Sequence, residues 1–97
     1  MHAPVTNNDP AALALRALVW TLAEPARAIR LLDTTGLTPD DLRARASDPA
    51  VLSASLGFLL AHEPDLIACA DGLAVRPEDL ARAHAALDGP THFGDDT

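Results

Sequence analysis

Histidine, cysteine and carboxylate side chains could hold a metal ion, and several occur in the second half of the chain. His62, Cys69 and His84 lie there, with Glu63 and Asp65 close to the first histidine. Zinc sites use pairs spaced as C-x-x-C or H-E-x-x-H, and no pair here has that spacing. We therefore expect no metal site. His62 is predicted to end a helix, His84 to lie on a helix surface and Cys69 to pack in the core.

Serine side chains give no catalytic arrangement. Ser47, Ser53 and Ser55 have no nucleophile-elbow sequence around them, and the chain has no glycine-rich loop for a phosphate group. A nucleophile needs a base within reach and donors for the developing oxyanion, and no motif supplies them. The sequence thus predicts no catalytic residue, no cofactor and no enzymatic activity.

Acidic residues occur in three adjacent pairs, at 40–41, 78–79 and 95–96, and the electrostatics of helix starts explains the first two pairs. The pairs at 40–41 and 78–79 directly follow Pro39 and Pro77. Acidic side chains in the first turn of a helix complement its dipole. Arginines four residues further on predict two ion pairs: Asp41 with Arg45 and Glu78 with Arg82.

The charge excludes some partners. The chain has a net charge of −7 and no lysine, and the segment 49–62 has neither Arg nor Lys. Phosphate contacts need cations, so we expect no nucleic-acid binding. The uncharged stretch Pro49–Ala61 is shorter than the roughly 18 residues of a spanning helix, so we expect no membrane segment. No basic residue precedes Arg16 and Cys69 is a lone cysteine, which favours the cytoplasm.

Prolines divide the chain into helices. Six of them follow a polar residue and precede a run of helix-forming residues, and proline is favoured at the first helical position. Asp or Thr before the proline can cap the helix. The expected helices are 10–23, 25–35, 39–46, 49–62, 64–71 and 77–87, with stops at Gly36, Gly72 and Gly89. The fold class is therefore all-α: one compact six-helix domain at 8–89, with flexible tails at 1–7 and 90–97.

An internal repeat follows from the spacing of these helix starts. Asp9-Pro10-Ala11 and Asp48-Pro49-Ala50 are 39 residues apart, as are Glu24-Pro25 and Glu63-Pro64. This predicts two tandem three-helix repeats, about 9–46 and 48–87, related by an approximate two-fold axis. Chance similarity between segments rich in Ala and Leu is the alternative.

The first and fourth predicted helices are apolar on nearly every side. The first has Leu15, Leu18, Val19 and Leu22 at helical spacing, and the fourth has Leu52, Leu56, Leu59 and Leu60. Helices of this kind are normally buried at the centre of a domain. The other four, predicted to be shorter and more charged, are expected to pack around this pair.

A bacterial family resembles the chain from Ala17 to Leu87. It shares five segments, in this order: Ala17–Pro25 (ALVWTLAEP), Thr35–Arg43 (TGLTPDDLR), Asp48–Leu52 (DPAVL), Phe58–Pro64 (FLLAHEP) and Arg76–Ala83 (RPEDLARA). The family is the domain of unknown function 3572. The resemblance implies a compact helical protein. It implies no activity, cofactor or site residue, because the family has none assigned.

Three functions remain open from the sequence. The first is a non-catalytic interaction or regulatory module, the second is a structural protein that forms a homodimer, and the third is a helical bundle that binds a small molecule. The charge is uneven: residues 1–47 have five acids and five arginines, whereas 48–97 have nine acids and two arginines. That surplus is either a solubility device or a docking face for a basic protein partner. The candidate partner-binding residues are Asp71, Asp88, Asp95, Asp96, Arg27 and Arg30.

Overall fold

Six α-helices, with no strand between them, make up the part of the chain described by the computed structural model. That part is residues 9–96, with side chains described for residues 9–87. The helices are α1 (Pro10–Leu22), α2 (Pro25–Thr35), α3 (Pro39–Arg45), α4 (Pro49–Leu60), α5 (Glu63–Leu73) and α6 (Pro77–Asp96). The predicted all-α, six-helix fold is confirmed.

Helix starts follow the proline pattern. Asp9 caps α1 by accepting hydrogen bonds from two backbone N–H groups, and Asp48 caps α4 in the same way from Ala50. Thr38 and Asp41 form a reciprocal capping box at the start of α3. Glu24 makes no side-chain cap at the start of α2. Short polar side chains thus accept hydrogen bonds from the otherwise unpaired backbone N–H groups at the starts of three helices, as the sequence predicts.

The helix ends agree with the predicted glycine stops at only one of three positions. Gly36 ends α2 in the left-handed conformation, with φ 79°, as predicted. Gly72 lies inside α5, and Ala74 takes the left-handed position instead, with φ 60°. Helix α6 continues through Gly89 and Pro90 to Asp96, so the predicted end at Leu87 is wrong. The backbone of the predicted C-terminal tail is therefore helical as far as Asp96, while the predicted tail at 1–7 lies outside the described residues.

The centre of the fold is formed by three helices, α1, α4 and α6, which pack on one another. Helices α2 and α5 each cover both α1 and α4. The largest buried side chains include Leu18, Leu31, Leu52, Leu56, Leu59 and Leu80. The central position predicted for α1 and α4 is correct, but α6 shares it and is the longest of the six helices.

The predicted repeat is not confirmed by this packing. Helices α2 and α5 have comparable places against α1 and α4, as two related units would require. Helices α3 and α6 differ: α3 has 7 residues and buries none of them, whereas α6 has 20 residues and buries Leu80 and Ala83. The repeat stays a prediction for the first two helices of each unit.

Within residues 9–96, no single helix is both long enough and apolar enough to cross a membrane. Helices α4 and α5 together meet the length and composition requirement, but the chain bends by 113° between them.

Candidate functional site

Helix α1 leaves part of its apolar surface uncovered. Leu15 and Val19, one turn apart, are 38% and 61% exposed. Together with Arg16, Trp20 and Leu73 they line an open cavity of about 450 Å³, which we call the α1–α5 groove. The expectation that Leu15 and Val19 lie in the core is therefore wrong.

Small residues on the inner face of α1 explain this exposure. Ala14, Ala17 and Thr21 are fully buried, and the Thr21 hydroxyl donates to the carbonyl oxygen of Ala17 at 2.8 Å. Small side chains let the neighbouring helices approach α1 closely, so its inner face is filled without Leu15 and Val19. The spacing of small residues at 14, 17 and 21 was the feature of the sequence that could have revealed the groove.

Trp20 forms one wall of the groove and is held from two sides. A Cβ atom added at Gly72 would lie 2.9 Å from its Nε1 atom, so α5 approaches the indole as only a glycine permits. The guanidinium carbon of Arg27 lies 3.6 Å from the centroid of the Trp20 ring on the α2 side. This contact is a cation–π interaction, and it joins α1, α2 and α5 at one point.

The C-terminal end of α5 forms one border of the groove. Val75 donates its backbone N–H to the carbonyl oxygen of Ala70 at 2.9 Å, which completes a left-handed helix end at Ala74. The Arg16 Nη2 atom donates to the carbonyl oxygen of Leu73 at 3.1 Å. Arg16 thus fastens α1 to the C-terminus of α5 and satisfies a carbonyl that the helix leaves unpaired.

A second, smaller cavity of about 220 Å³ lies between α2 and the C-terminal end of α4. It is lined by Arg30, Thr34, Phe58, Ala61 and His62, and we call it the α2–α4 cavity. It differs in chemistry from the α1–α5 groove because three of its five lining side chains carry hydrogen-bonding groups.

Asp65 organises the polar side of this cavity. Its Oδ2 atom accepts from Arg30 Nη1 at 2.8 Å and lies 3.1 Å from His62 Nδ1. The hydrogen bond from Arg30 is the main reason that the pKa of Asp65 is lowered, and the same bond raises the pKa of Arg30. The carboxylate is therefore ionised at neutral pH and holds both basic side chains in place.

Arg27, Arg30 and Asp71 are three of the candidate partner-binding residues, and their environments differ. Arg27 is largely enclosed, its side chain only 15% exposed, and it donates to Glu24 Oε1 and to the carbonyl oxygen of Trp20. Arg30 is half-exposed and paired with Asp65. Asp71 is exposed near the end of α5. Both arginines therefore make contacts within the fold, so a change at either one would alter packing as well as any binding.

The remaining candidate acids are on the last helix. Asp88, Asp95 and Asp96 belong to α6, and their side chains lie outside the described residues. Their part in binding stays a prediction.

The residues considered as metal ligands are brought together only in part, since His62 contacts Asp65. Among residues 9–87, no three His, Cys, Asp or Glu side chains are grouped so that they could hold a metal ion. Cys69 is fully buried, as expected, and burial raises the pKa of its thiol to about 11. His84 is half-buried beside Gly57, not on an open surface, and His62 caps no backbone group of α5 although it occupies the N-cap position.

The predicted ion pairs are half correct. Arg45 lies 3.8 Å from Asp41, as expected, and also contacts Asp48 at 3.3 Å. Arg82 pairs with Asp79 at 3.5 Å, and no pair with Glu78 is seen within residues 9–87. The acids at helix starts thus serve the helices, as the sequence indicated.

Comparison with known proteins gives one family. No curated protein and no solved structure matches the chain significantly. Residues 7–90 match the sequence model of a family described as a protein of unknown function, DUF3572. This match confirms the resemblance carried by the five segments between Ala17 and Ala83. Because it extends over most of the 97 residues, the chain belongs to the DUF3572 family.

Proposed function

We propose that this protein is a non-catalytic interaction module that binds a helix of another protein in the α1–α5 groove. The observation that carries the proposal is the exposure of Leu15 and Val19 on a helix whose other large apolar side chains are covered. Exposed apolar surface next to a groove is typical of protein-binding sites.

The shape of this surface favours a helical partner. Ala11, Leu15 and Val19 of α1 and Ala23, which directly follows the helix, lie at intervals of four residues, and all four are exposed. Such a row forms a ridge that packs into the groove of a second helix, and its small ends allow close approach. A partner helix with apolar residues at positions i and i+4 would fill the space between this ridge and Leu73.

Charge favours a basic partner over a second copy of the chain. The net charge is −7, and Asp71 lies exposed immediately before the Gly72 that contacts Trp20. Two copies would bring like charges together, whereas Lys or Arg flanking the apolar residues of a partner would be attracted. A homodimer through the same ridge is the second candidate.

The described reactive groups support a non-catalytic role. The Cys69 thiol is buried and its pKa is raised, so little thiolate forms at neutral pH. Asp41 and Asp48 are held in helix caps and Asp65 in an ion pair. These contacts show that the three carboxylates stabilise the fold.

Site-specific photo-crosslinking tests the proposal. A photoreactive residue at Val19, introduced in the full chain and exposed to native lysate at low ionic strength, should give one discrete product with another protein. The same residue at Asp40, whose side chain is 94% exposed on α3, is the control and should not give that product. A product containing only two copies of the chain would favour the homodimer. Equal products at both positions would remove the groove from consideration.

The acidic residues are tested separately once the partner is known. Replacement of Asp71, Asp88, Asp95 and Asp96 by Asn should slow association and flatten its dependence on salt, because long-range charge attraction acts mainly on the association rate. Thermal stability should change little. An unchanged association rate would show that the acids serve solubility alone.

A further inference from the structure

We propose that the α2–α4 cavity is a binding site for a small carboxylate that has an apolar body. Three donor-bearing side chains line it, Arg30, Thr34 and His62, and two apolar ones complete it, Phe58 and Ala61. The inference is independent of the α1–α5 groove, with which this cavity shares no lining residue.

The polar side of the cavity suits an oxyanion. Arg30 uses Nη1 for Asp65, and no other hydrogen bond from its guanidinium is seen within residues 9–87. His62 turns Nδ1 towards the same carboxylate, which leaves Nε2 as its second polar atom. A guanidinium is a planar array of donors that matches the two oxygens of a carboxylate, and the Thr34 hydroxyl adds a further donor.

The apolar side sets the body of the ligand. Phe58 is 6% exposed, and the Arg30 guanidinium carbon lies 5.8 Å from its ring centroid. The cavity volume of about 220 Å³ is roughly seven times the 30 Å³ that a water molecule occupies. A single ring or a short aliphatic chain can therefore lie on Phe58 and Ala61 while its carboxylate reaches Arg30.

Arg30 supplies the positive charge of the cavity. The groups facing His62 are Asp65 on its own turn and Arg30 from α2, with Glu63 beside it in the chain. Helix α4, which carries Phe58, has no charged residue. An incoming carboxylate would therefore bind at the guanidinium donors of Arg30 that Asp65 does not use.

Titration with benzoate, followed by two-dimensional NMR of the full chain, tests the site. We expect benzoate to shift the amide resonances around Phe58, Ala61 and His62, which line the cavity on the α4 side. The neutral isostere benzamide and inorganic phosphate should each bind about tenfold more weakly, because one lacks the charge and the other the apolar body. Benzamide binding as tightly as benzoate would overturn the proposal, and so would the absence of any shift with benzoate.

Variants separate the site from a general effect of charge. Arg30→Gln should weaken benzoate binding about tenfold, whereas Arg43→Gln, on an exposed ion pair with Asp40, should leave it unchanged. His62→Ala removes a polar side chain that lines the cavity and should keep the fold but weaken benzoate binding, which also covers the case in which Arg30→Gln fails to fold. A folded His62→Ala protein that binds benzoate as tightly as the parent chain would overturn the assigned role of the imidazole.

Discussion

Arg27 covers the face of Trp20, with its guanidinium carbon 3.6 Å from the ring centroid and its Nη2 atom 2.7 Å from the carbonyl oxygen of the same residue. The two contacts link α2 to the last turn of α1. They also hold the indole against Gly72 of α5. One arginine therefore fixes the wall of the α1–α5 groove and satisfies a carbonyl near the C-terminal end of a helix.

Replacing Arg27 should weaken the contact among α1, α2 and α5. Arg27→Met keeps the length of the side chain but removes the cation and its donors, and we expect a loss of about 1–3 kcal/mol in the free energy of unfolding. Trp20 is the one tryptophan of the chain, so its fluorescence reports the change directly. Chemical denaturation followed by tryptophan emission measures both effects. An unchanged emission maximum and stability would show that the contact is not significant in solution.

Alanine substitution should affect stability differently at two glycines, because only Gly72 lies against Trp20. Gly57→Ala places a Cβ atom 3.5 Å from His84 Nε2, an ordinary contact, and should stabilise α4 by about 0.5–1 kcal/mol. Gly72→Ala places one 2.9 Å from Trp20 Nε1, so the indole must move and that gain should be lost. Thermal melts of the two variants provide the comparison. A rise in melting temperature for Gly72→Ala equal to that for Gly57→Ala would contradict the packing.

Ala74 offers a stabilising substitution. It has φ 60°, a conformation that costs a residue with a side chain roughly 1 kcal/mol relative to glycine. Ala74→Gly should therefore raise the melting temperature, while Ala85→Gly, at an exposed position inside α6, should lower it. Differential scanning calorimetry would distinguish the two, and a decrease for both would argue against the left-handed end of α5.

The core prediction concerns Leu59, which is fully buried in α4. Leu59→Ala should cost about 2–5 kcal/mol, and Leu59→Asp should abolish cooperative unfolding because it buries an unpaired charge. Circular dichroism during heating measures both. Asp40→Asn, on the surface of α3, is the control and should melt like the parent chain. A cooperative melt for Leu59→Asp would exclude a central position for α4.

Cys69 predicts a loss of stability in alkali. Burial raises its pKa to about 11 from an ordinary value of 9.0, so the folded state favours the neutral thiol. Its contribution is fully present below pH 9 and is lost as the pH rises towards 11, by up to roughly 1.4 kcal/mol per pH unit. Denaturation at several pH values should show this slope in the parent chain but not in Cys69→Ala. Parallel pH profiles for the two proteins would show that the thiol does not contribute.

The sequence by itself determined where the helices begin and which side chains cap them. Asp9, Thr38 and Asp48 act within a few residues of their own positions, so local chemistry is sufficient to predict them. The fold class and the family also follow from local pattern and motif order. The full burial of Cys69 and Leu59 agrees with the prediction from their apolar surroundings in the chain.

Only the tertiary structure decided which faces of these helices are covered. Ala14 and Ala17 fill the inner face of α1, and this leaves Leu15 and Val19 outside, although all of these side chains are apolar. Gly72 lies inside α5 and against Trp20, and the left-handed helix end falls at Ala74 instead. Both candidate sites depend on contacts between residues far apart in the chain, such as Arg30 with Asp65 and Arg16 with Leu73. Helical periodicity cannot specify such contacts, because they depend on how closely the neighbouring helices approach.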